Sequence, residues 1–383
     1  MKKIIPYGKQ FIDSQDIKQV SKALSNDIIT TGNITLELEK KIANFLNCKY
    51  SITCNSGTSA IFISLSSINL KKGDKIIMPS INFIASYNAA KILGADIYLA
   101  DVDQFTGQMR PEDVENCCKK FGIKKFDALV VMYNGGYPQD AEKFKLLKKK
   151  YKCYIVEDAC HALGASYLYK KKYYKIGSCK HSDICTFSLH PLKTITTGEG
   201  GIITTNNKTL LEKMKMIRSH GIKRSYNKHW KYEVLLNGLN FRLTDFQSAL
   251  GLSQLKKLNK FIQKRKKISL KYQKEIEKIK QISTPKYLSK YRSSHHLFLI
   301  HINQKNKNQK ENLIKYMLKN KVMLQYHYIP LYKFKAFKGR YIKKNAELYY
   351  KTAISLPIYY RLSQTEQNLV IKLLMKYFAN GYQ

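Results

Sequence analysis

The chain has 383 residues, longer than one compact core usually accommodates, so two packed regions sharing an interface are expected. With 44% hydrophobic and 12% aromatic residues it can bury a large core, which excludes global disorder. Against 27 Asp+Glu stand 68 Lys+Arg, a formal net charge of +41, which favours contact with polyanions and excludes an acidic, cation-sequestering surface. In chain order, the apolar stretch SITC (51–54) precedes a helix predicted over 57–70. Short β-branched runs then read as strands at 75–80, 95–103, 126–133, 152–159, 182–189 and 200–206, with helices at 84–94, 111–121 and 140–151 between the earlier ones. This rhythm predicts an α/β fold with a mainly parallel sheet covered on both faces. The later strands leave little room for crossover helices, so the sheet should be mixed. From about residue 243 one long helix, interrupted only by Gly251, leaves the first region. After the turn-like STPKY come a strand (296–302), a helix (307–319), a strand (322–330) and a closing helix (364–378). Residues 1–245 are thus read as a large domain and 246–383 as a smaller α+β domain.

The positive charge is nearly all lysine. Runs such as KFKLLKKKYK (143–152) and YLYKKKYYK (167–175) place lysines between apolar positions, the pattern of a solvated face rather than of a nucleic-acid stripe, so no specific nucleic acid is expected. Eight scattered cysteines form no CxxC pair, which predicts neither a zinc site nor a disulfide scaffold. The start breaks at Pro6 before an apolar signal core forms, and no run approaches membrane-spanning length, so a cytoplasmic protein with no membrane insertion is expected.

Ligands of open α/β sheets collect at the carboxyl ends of strands, and three loops there carry chemistry. NSGTSA (55–60) pairs small residues with a helix start, an arrangement that admits an anion but equally serves as an ordinary helix cap. VEDACHALG (156–164) sets Glu157, Asp158 and His161 at the end of an apolar strand. A carboxylate buried there requires a cationic partner or a capping role, and His161 is satisfied by a backbone carbonyl on the simplest reading. SLHPLKTITTGEGG (188–201) holds Lys193 between a strand and a run of threonine and glycine, where desolvation would make the amine a nucleophile. A lysine, an acid and a phosphate cradle at neighbouring strand ends are together what pyridoxal 5′-phosphate requires.

These segments, with PYGKQFID (6–13), RSHGI (218–222), LNFRLTDFQSALGLSQLKKL (239–258), HHLFLI (295–300), QYHYIPLY (325–332) and SLPIYY (355–360), resemble the DegT/DnrJ/EryC1/StrS sugar aminotransferases over nearly the whole chain. Within that family the likeness is to the transaminases acting on UDP-4-keto sugars in pseudaminic acid biosynthesis. The resemblance implies the type I pyridoxal-phosphate transferase fold of aspartate aminotransferase, and it implies roles residue by residue. Lys193 bonds to the cofactor and moves protons, Asp158 keeps the ring nitrogen protonated, and His161 packs beside the ring. Phe83 stacks on the ring, while Gly57, Thr58 and Ser188 hold the phosphate. Asn240 reaches the phosphate region of a neighbouring subunit, which implies a homodimer with shared active sites. Tyr7, Asp27, Ile28, Ile29, Thr30 and Gln325, Tyr326, His327 and Tyr328 contact the UDP-sugar, and Arg242 the carboxylate of the donor, L-glutamate. No metal is implied.

One segment departs from the family pattern: MYNGGYPQD (132–140) carries Asn134 and Tyr137 in place of smaller residues, in a loop that lies near the cofactor in the family. That leaves other keto sugars open, GDP-perosamine precursors and 3-keto sugars among them. Dehydratases of this fold replace the lysine with histidine, which Lys193 argues against although His190 stands nearby. A nucleic-acid-binding protein that merely keeps the fold is the alternative from another class.

Overall fold

The computed structural model describes residues 4–224, 230–303 and 308–379. Its centre is an eight-stranded sheet, in the order Tyr50–Cys54, Gly201–Thr205, Ile184–Ser188, Tyr154–Asp158, Ala128–Met132, Lys75–Pro79, Asp96–Ala100 and Arg340–Tyr341. Only Gly201–Thr205 runs antiparallel to its neighbours; the remaining pairings are parallel. The sheet is therefore mixed, as its sequence spacing predicts. Strands such as Ala128–Met132 are buried at every position, because helices cover both faces and no face is left for alternating polar residues. One consequence positions the site. The carboxyl ends at Cys54, Pro79, Met132, Asp158 and Ser188 lie along one edge, and Gly201 begins there.

The long helix is unbroken over Asp245–Ile276. Thr244 caps it, and Gln247 completes the capping box by reaching back to the Thr244 N–H. Gly251 marks close packing rather than a kink, since a Cβ there would lie 2.9 Å from a Leu38 methyl and 3.0 Å from that of Thr197. The helix is fastened to Ser14–Leu24 by Lys257, which pairs with Asp13 at 2.6 Å and Asp16 at 2.8 Å. Its far end contributes Ile268, Tyr272 and Ile276 to a separate apolar cluster. There the antiparallel strands Ile282–Ser283, Phe298–Ile302 and Ala353–Leu356 meet the helices Gln309–Lys319 and Gln364–Ala379, together with Ile5.

Three predicted elements need correction. The helix expected over 140–151 forms only at Phe144–Tyr151, because Asp140 adopts φ +56° and pairs with Lys143 in a turn. The helix predicted at 307–319 spans Gln309–Lys319, and residue 307 lies outside the described residues. The strand expected over 322–330 does not form. Val322 and Gln325 make isolated bridges to Ile5 and Ser355, and beyond them the His327 carbonyl is held by side chains, Asn134 Nδ2 and Tyr349 Oη, instead of by a neighbouring strand. That segment walls a cavity.

Candidate active site

A cavity of about 550 Å³ opens at the carboxyl edge of the sheet. Its floor begins at the helix Gly57–Ser67. Ser56 caps this helix by accepting from the Ser59 N–H at 3.0 Å, which leaves the N–H groups of Gly57 and Thr58 in the cavity wall. Gly57 has no room for a side chain, because a Cβ there would lie 2.7 Å from Ser188 Cβ. Helix start and strand end thus close into a small concavity that favours an anion.

Asp158 ends the adjacent strand, 3% exposed. Its Oδ2 accepts from Ser86 Oγ at 3.1 Å and its Oδ1 from the Cys160 N–H at 3.3 Å, and among the described residues no ion pair engages it. A buried carboxylate that faces a cavity with no ion-pair partner of its own is set to receive a cation from a ligand. Lys193 lies on the opposite turn, whose backbone is pinned by Lys193 N–H to His190 O at 2.9 Å and Thr197 N–H to Leu189 O at 3.1 Å. Burial lowers its affinity for a proton, with Cys160 and Asp158 opposing. The amine is thereby brought toward a reactive, neutral form.

His161 is buried against the His296 ring, centroids 4.2 Å apart, and hydrogen-bonds to Tyr328 Oη at 2.8 Å. Burial, followed by its neighbours His296, Lys193, His327 and Arg265, holds it far below the usual histidine range, so it is neutral at physiological pH. Phe83, 53% exposed, forms part of the rim with its ring 5.8 Å from that of Tyr328. Tyr7 and Gln325 through Tyr328 complete the wall; His327 Nδ1 bonds Ser355 Oγ at 2.8 Å, and burial pushes the His327 imidazole down to about 3.

Thus Tyr7, Gly57, Thr58, Phe83, Asp158, His161, Ser188, Lys193, Gln325, Tyr326, His327 and Tyr328 are brought together by the fold. Six residues are not. Asp27, Ile28, Ile29 and Thr30 are exposed outside the cavity, as is Asn240, and Arg242 is only half-buried. They share a different surface: Thr30 bridges Thr244, the Asp245 N–H donates to Ile29 O at 2.8 Å, and the Asn240 and Phe241 carbonyls are bonded by Asn55 beside the anion cradle. Glu157 points away from the cavity to the Tyr133 hydroxyl at 2.7 Å. Sequence reasoning gave no site role to Ser56, Asn82, Glu199 and His296, which also line the cavity. Ser56 and Glu199 sit inside the NSGTSA and SLHPLKTITTGEGG motifs, and the HH pair at 295–296 is the local signal for His296. Of the departing loop 132–140, only Met132 lines the cavity. Asn134 acts through the His327 carbonyl, and Tyr137 stacks on Tyr287 at 3.4 Å.

A sheet-edge lysine, a buried acid lacking a cation and a helix-start cradle define a class: pyridoxal-phosphate enzymes of the type I transferase fold. The comparisons with known proteins narrow this. The model of the DegT/DnrJ/EryC1/StrS aminotransferase family matches residues 10–375, and the chain belongs to that family. It is 34% identical over 371 residues to the UDP-4-amino-4,6-dideoxy-N-acetyl-β-L-altrosamine transaminase of Campylobacter jejuni strain 81-176, covering 96% of each chain. It is 32% identical over 281 residues to the GDP-perosamine synthase of Escherichia coli O157:H7, covering 73% of each. The solved structure of Helicobacter pylori PseC, an aminotransferase of pseudaminic acid biosynthesis, superimposes with a TM-score of 0.89 at 31% identity over 99% of this chain and 100% of that one. The protein is a sugar aminotransferase dependent on pyridoxal phosphate. The residues present fit that group: Gly57 leaves space where a Cβ would fill the cradle, and Asp158 is a buried carboxylate that a protonated ring nitrogen would complement. Among the described residues no helix is long and apolar enough to cross a membrane.

Proposed function

We propose that this enzyme moves the amino group of L-glutamate to the C4 ketone of a UDP-linked 4-keto-6-deoxy hexose of the pseudaminic acid type, supplying an amino sugar for a surface glycan from the cytoplasm. Pyridoxal phosphate, when bound, supplies an electron sink that stabilises negative charge at the carbon losing its proton. The protein's part is holding, orienting and proton transfer. Gly57, Thr58 and Ser188 hold the phosphate, Phe83 covers the ring, and Asp158 keeps its nitrogen protonated. Lys193 Nζ, once free, takes and returns the proton at the reacting carbon, a task suited to an amine whose pKa burial has lowered. Tyr7 and residues 325–328 receive the sugar nucleotide.

The observation that carries this reading is that Lys193, Asp158 and the Gly57 helix start line one cavity. A homodimer is part of the proposal. Ile28, Ile29, Leu235 and Leu239 are large apolar side chains, 44–60% exposed, beside Asn240 and Arg242, which suits a face covered by a second copy that receives those two polar residues into its own cavity. Arg242 is assigned to the carboxylate of glutamate. The test begins with the absorption spectrum of protein loaded with pyridoxal phosphate. L-glutamate should discharge the visible band in wild type, and Lys193→Ala should show no such band. The glutamate-treated enzyme is then offered UDP-4-keto, GDP-4-keto and 3-keto sugars. Return of the band with a GDP sugar alone would replace the UDP assignment by the perosamine type, to which the 32% identical relative points.

A further inference from the structure

A lysine is out of place in the first turn of a helix, where the dipole opposes a cation, and a buried one ordinarily needs a carboxylate. Lys310 has both handicaps. It is the second residue of the helix Gln309–Lys319 and 6% exposed, and among the described residues no carboxylate pairs with it. Glu311, the next residue, raises its proton affinity without pairing with it. What receives the ammonium is aromatic. Lys310 Nζ lies 4.2 Å from the centre of the Tyr326 ring and 4.5 Å from that of Tyr350, and the two rings stand 5.7 Å apart at 53°. The ammonium also donates to the Tyr350 carbonyl, in the last turn of the helix Lys344–Thr352, where carbonyls lack intrahelical partners and the dipole favours a cation.

The two rings are not equally secured. Tyr350 has a second cation, with Lys333 Nζ 5.4 Å from its centre, and Lys333 is itself held by Glu347 at 2.9 Å. Over the Tyr326 ring stands only Lys310 among the described residues. Tyr326 lines the cavity, in the segment proposed above to receive the sugar nucleotide, whereas Lys310 does not reach the cavity. We propose that Lys310 is a positioning residue for the sugar nucleotide: anchored on Tyr350, its ammonium fixes the Tyr326 ring in the cavity wall, so that the charge on Lys310 sets the affinity for the sugar nucleotide and leaves that for the amino donor unchanged. This rests on the reading above that the cavity takes a nucleotide sugar.

The grip is adjustable near neutral pH. Burial pushes the Lys310 amine down to about 7, with Glu311 opposing. Below that pH the ammonium attracts both rings; above it the neutral amine loses the attraction and Tyr326 is released. Glu311 on its own helix, Tyr326, Tyr350 with Lys333 and Glu347 beyond it, and His301 on the strand Phe298–Ile302 are the charged and titratable groups around this slot. Burial holds His301 below the usual histidine range, Lys310 adding to it while the Phe105 carbonyl and Asp103 oppose. Burial pushes the Tyr326 phenol up to about 12, and Glu347, against its own burial, is held low by Lys333 and Tyr332. Loss of the Lys310 proton is therefore the change that the slot undergoes as the pH rises through about 7.

Binding of UDP-N-acetylglucosamine, a UDP-sugar without a ketone, to the loaded enzyme tests this by calorimetry between pH 6 and 8.5, with GDP-mannose as the probe should only that bind. Wild-type affinity should fall about five- to tenfold as the pH rises through 7. Lys310→Met, which fills the slot without a charge, should bind at the weak limit at every pH, and Lys310→Arg, charged throughout, should stay near the tight limit to pH 8.5. In turnover, Lys310→Met should raise KM for the keto sugar and leave kcat and KM for glutamate unchanged, whereas a merely structural lysine would lower the melting temperature and move both KM values together. A direct pull of the charge on the nucleotide's phosphates is separated by Tyr326→Leu. In that background Lys310→Met should add nothing, and an undiminished effect overturns the proposal, as does a Lys310→Met protein that binds as tightly as wild type at pH 6. Should Lys310→Met fail to fold, the wild-type pH profile and Lys310→Arg carry the test, and profiles that coincide overturn the proposal. Binding of neither nucleotide sugar by wild type overturns the reading of the cavity and the role of Lys310 with it; wild-type binding, absent in that failure and retained in the others, tells them apart.

Discussion

Gly57→Ala isolates the contribution of the helix-start cradle. The new methyl would lie 2.7 Å from Ser188 Cβ and 3.2 Å from its Cα. Carbon atoms rest comfortably at about 3.5–4.0 Å, so helix start and strand end must part by roughly 1 Å. The strand is hydrogen-bonded on both sides, by Tyr154–Asp158 and Gly201–Thr205, so the helix start yields first. Overpacking of this kind costs about 1–3 kcal/mol, and if the cradle absorbs it, cofactor affinity falls about 5- to 150-fold. The assay is a binding titration by absorbance or fluorescence with pyridoxal phosphate and, in parallel, with pyridoxal, which lacks the phosphate. Affinity for the phosphate ester should drop while affinity for pyridoxal is nearly unchanged. An equal loss for both compounds, or none for either, would refute the placement of the phosphate at Gly57.

Four further outcomes are expected. Asp158→Asn removes the counter-charge of the ring nitrogen, and the rate at which glutamate discharges the band in single-turnover measurements should fall about a hundredfold or more. Asn134→Ala removes bonds to the His327 carbonyl at 3.3 Å and to Tyr349 Oη at 2.9 Å, so stability should drop by about 1–3 kcal/mol in denaturant melts, and KM for the sugar should rise more than KM for glutamate. Stability should also fall in acid. His327 is depressed to about 3, so between there and the ordinary value near 6.5 the unfolded chain binds the extra proton; stability is complete above about pH 6.5 and is lost by up to about 1.4 kcal/mol per unit as the pH falls below it. His327→Gln should flatten the slope of melting temperature between pH 7 and 5, and an unchanged slope would remove His327 from this account. Finally, mixing Lys193→Ala with Asn240→Ala, each inactive alone, should restore part of the activity through mixed dimers with one intact site; no recovery after subunit exchange counts against a shared site.

The fold was legible wherever local pattern and packing agree. The buried strands at 75–80, 126–133 and 152–159 announce themselves because both faces of the sheet are covered, which leaves continuous apolar runs. The helices Ser14–Leu24 and Asn33–Leu46 drew no prediction: the first is polar apart from a few positions, and its place is set by Lys257 and Gln254 from a helix more than two hundred residues away. The segment 322–330 misled for the converse reason. Val322 and Leu324 are buried in alternation, as in a strand, but from Gln325 onward the chain turns its side chains to the cavity and its carbonyl to Asn134. Lys193, Asp158 and Gly57, which the fold gathers at one cavity, stood out because each breaks a local preference: a lysine among glycines, an acid at a buried strand end, a glycine at a helix start. Asn134 was noticed only as a departure. Its role as a support for His327 lies in contacts across 193 residues, which no local pattern carries.

The same contrast explains the lysine excess. Of the many lysines and arginines, Lys193 is the only one that lines the cavity among the described residues, and burial holds His161, His296 and His327 beside it below the usual histidine range. A phosphate held at Gly57, as proposed, would be recognised by backbone N–H groups, which keep their geometry whatever the surface charge. A net charge of +41 can then raise only the rate at which an anionic substrate arrives, a contribution that salt screens over about 10 Å at 0.1 M. Salt should therefore lower kcat/KM for the sugar nucleotide while leaving kcat and the choice among sugars unchanged. That separation follows from a proposed site of fixed dipoles and one buried amine in a chain whose net charge is +41.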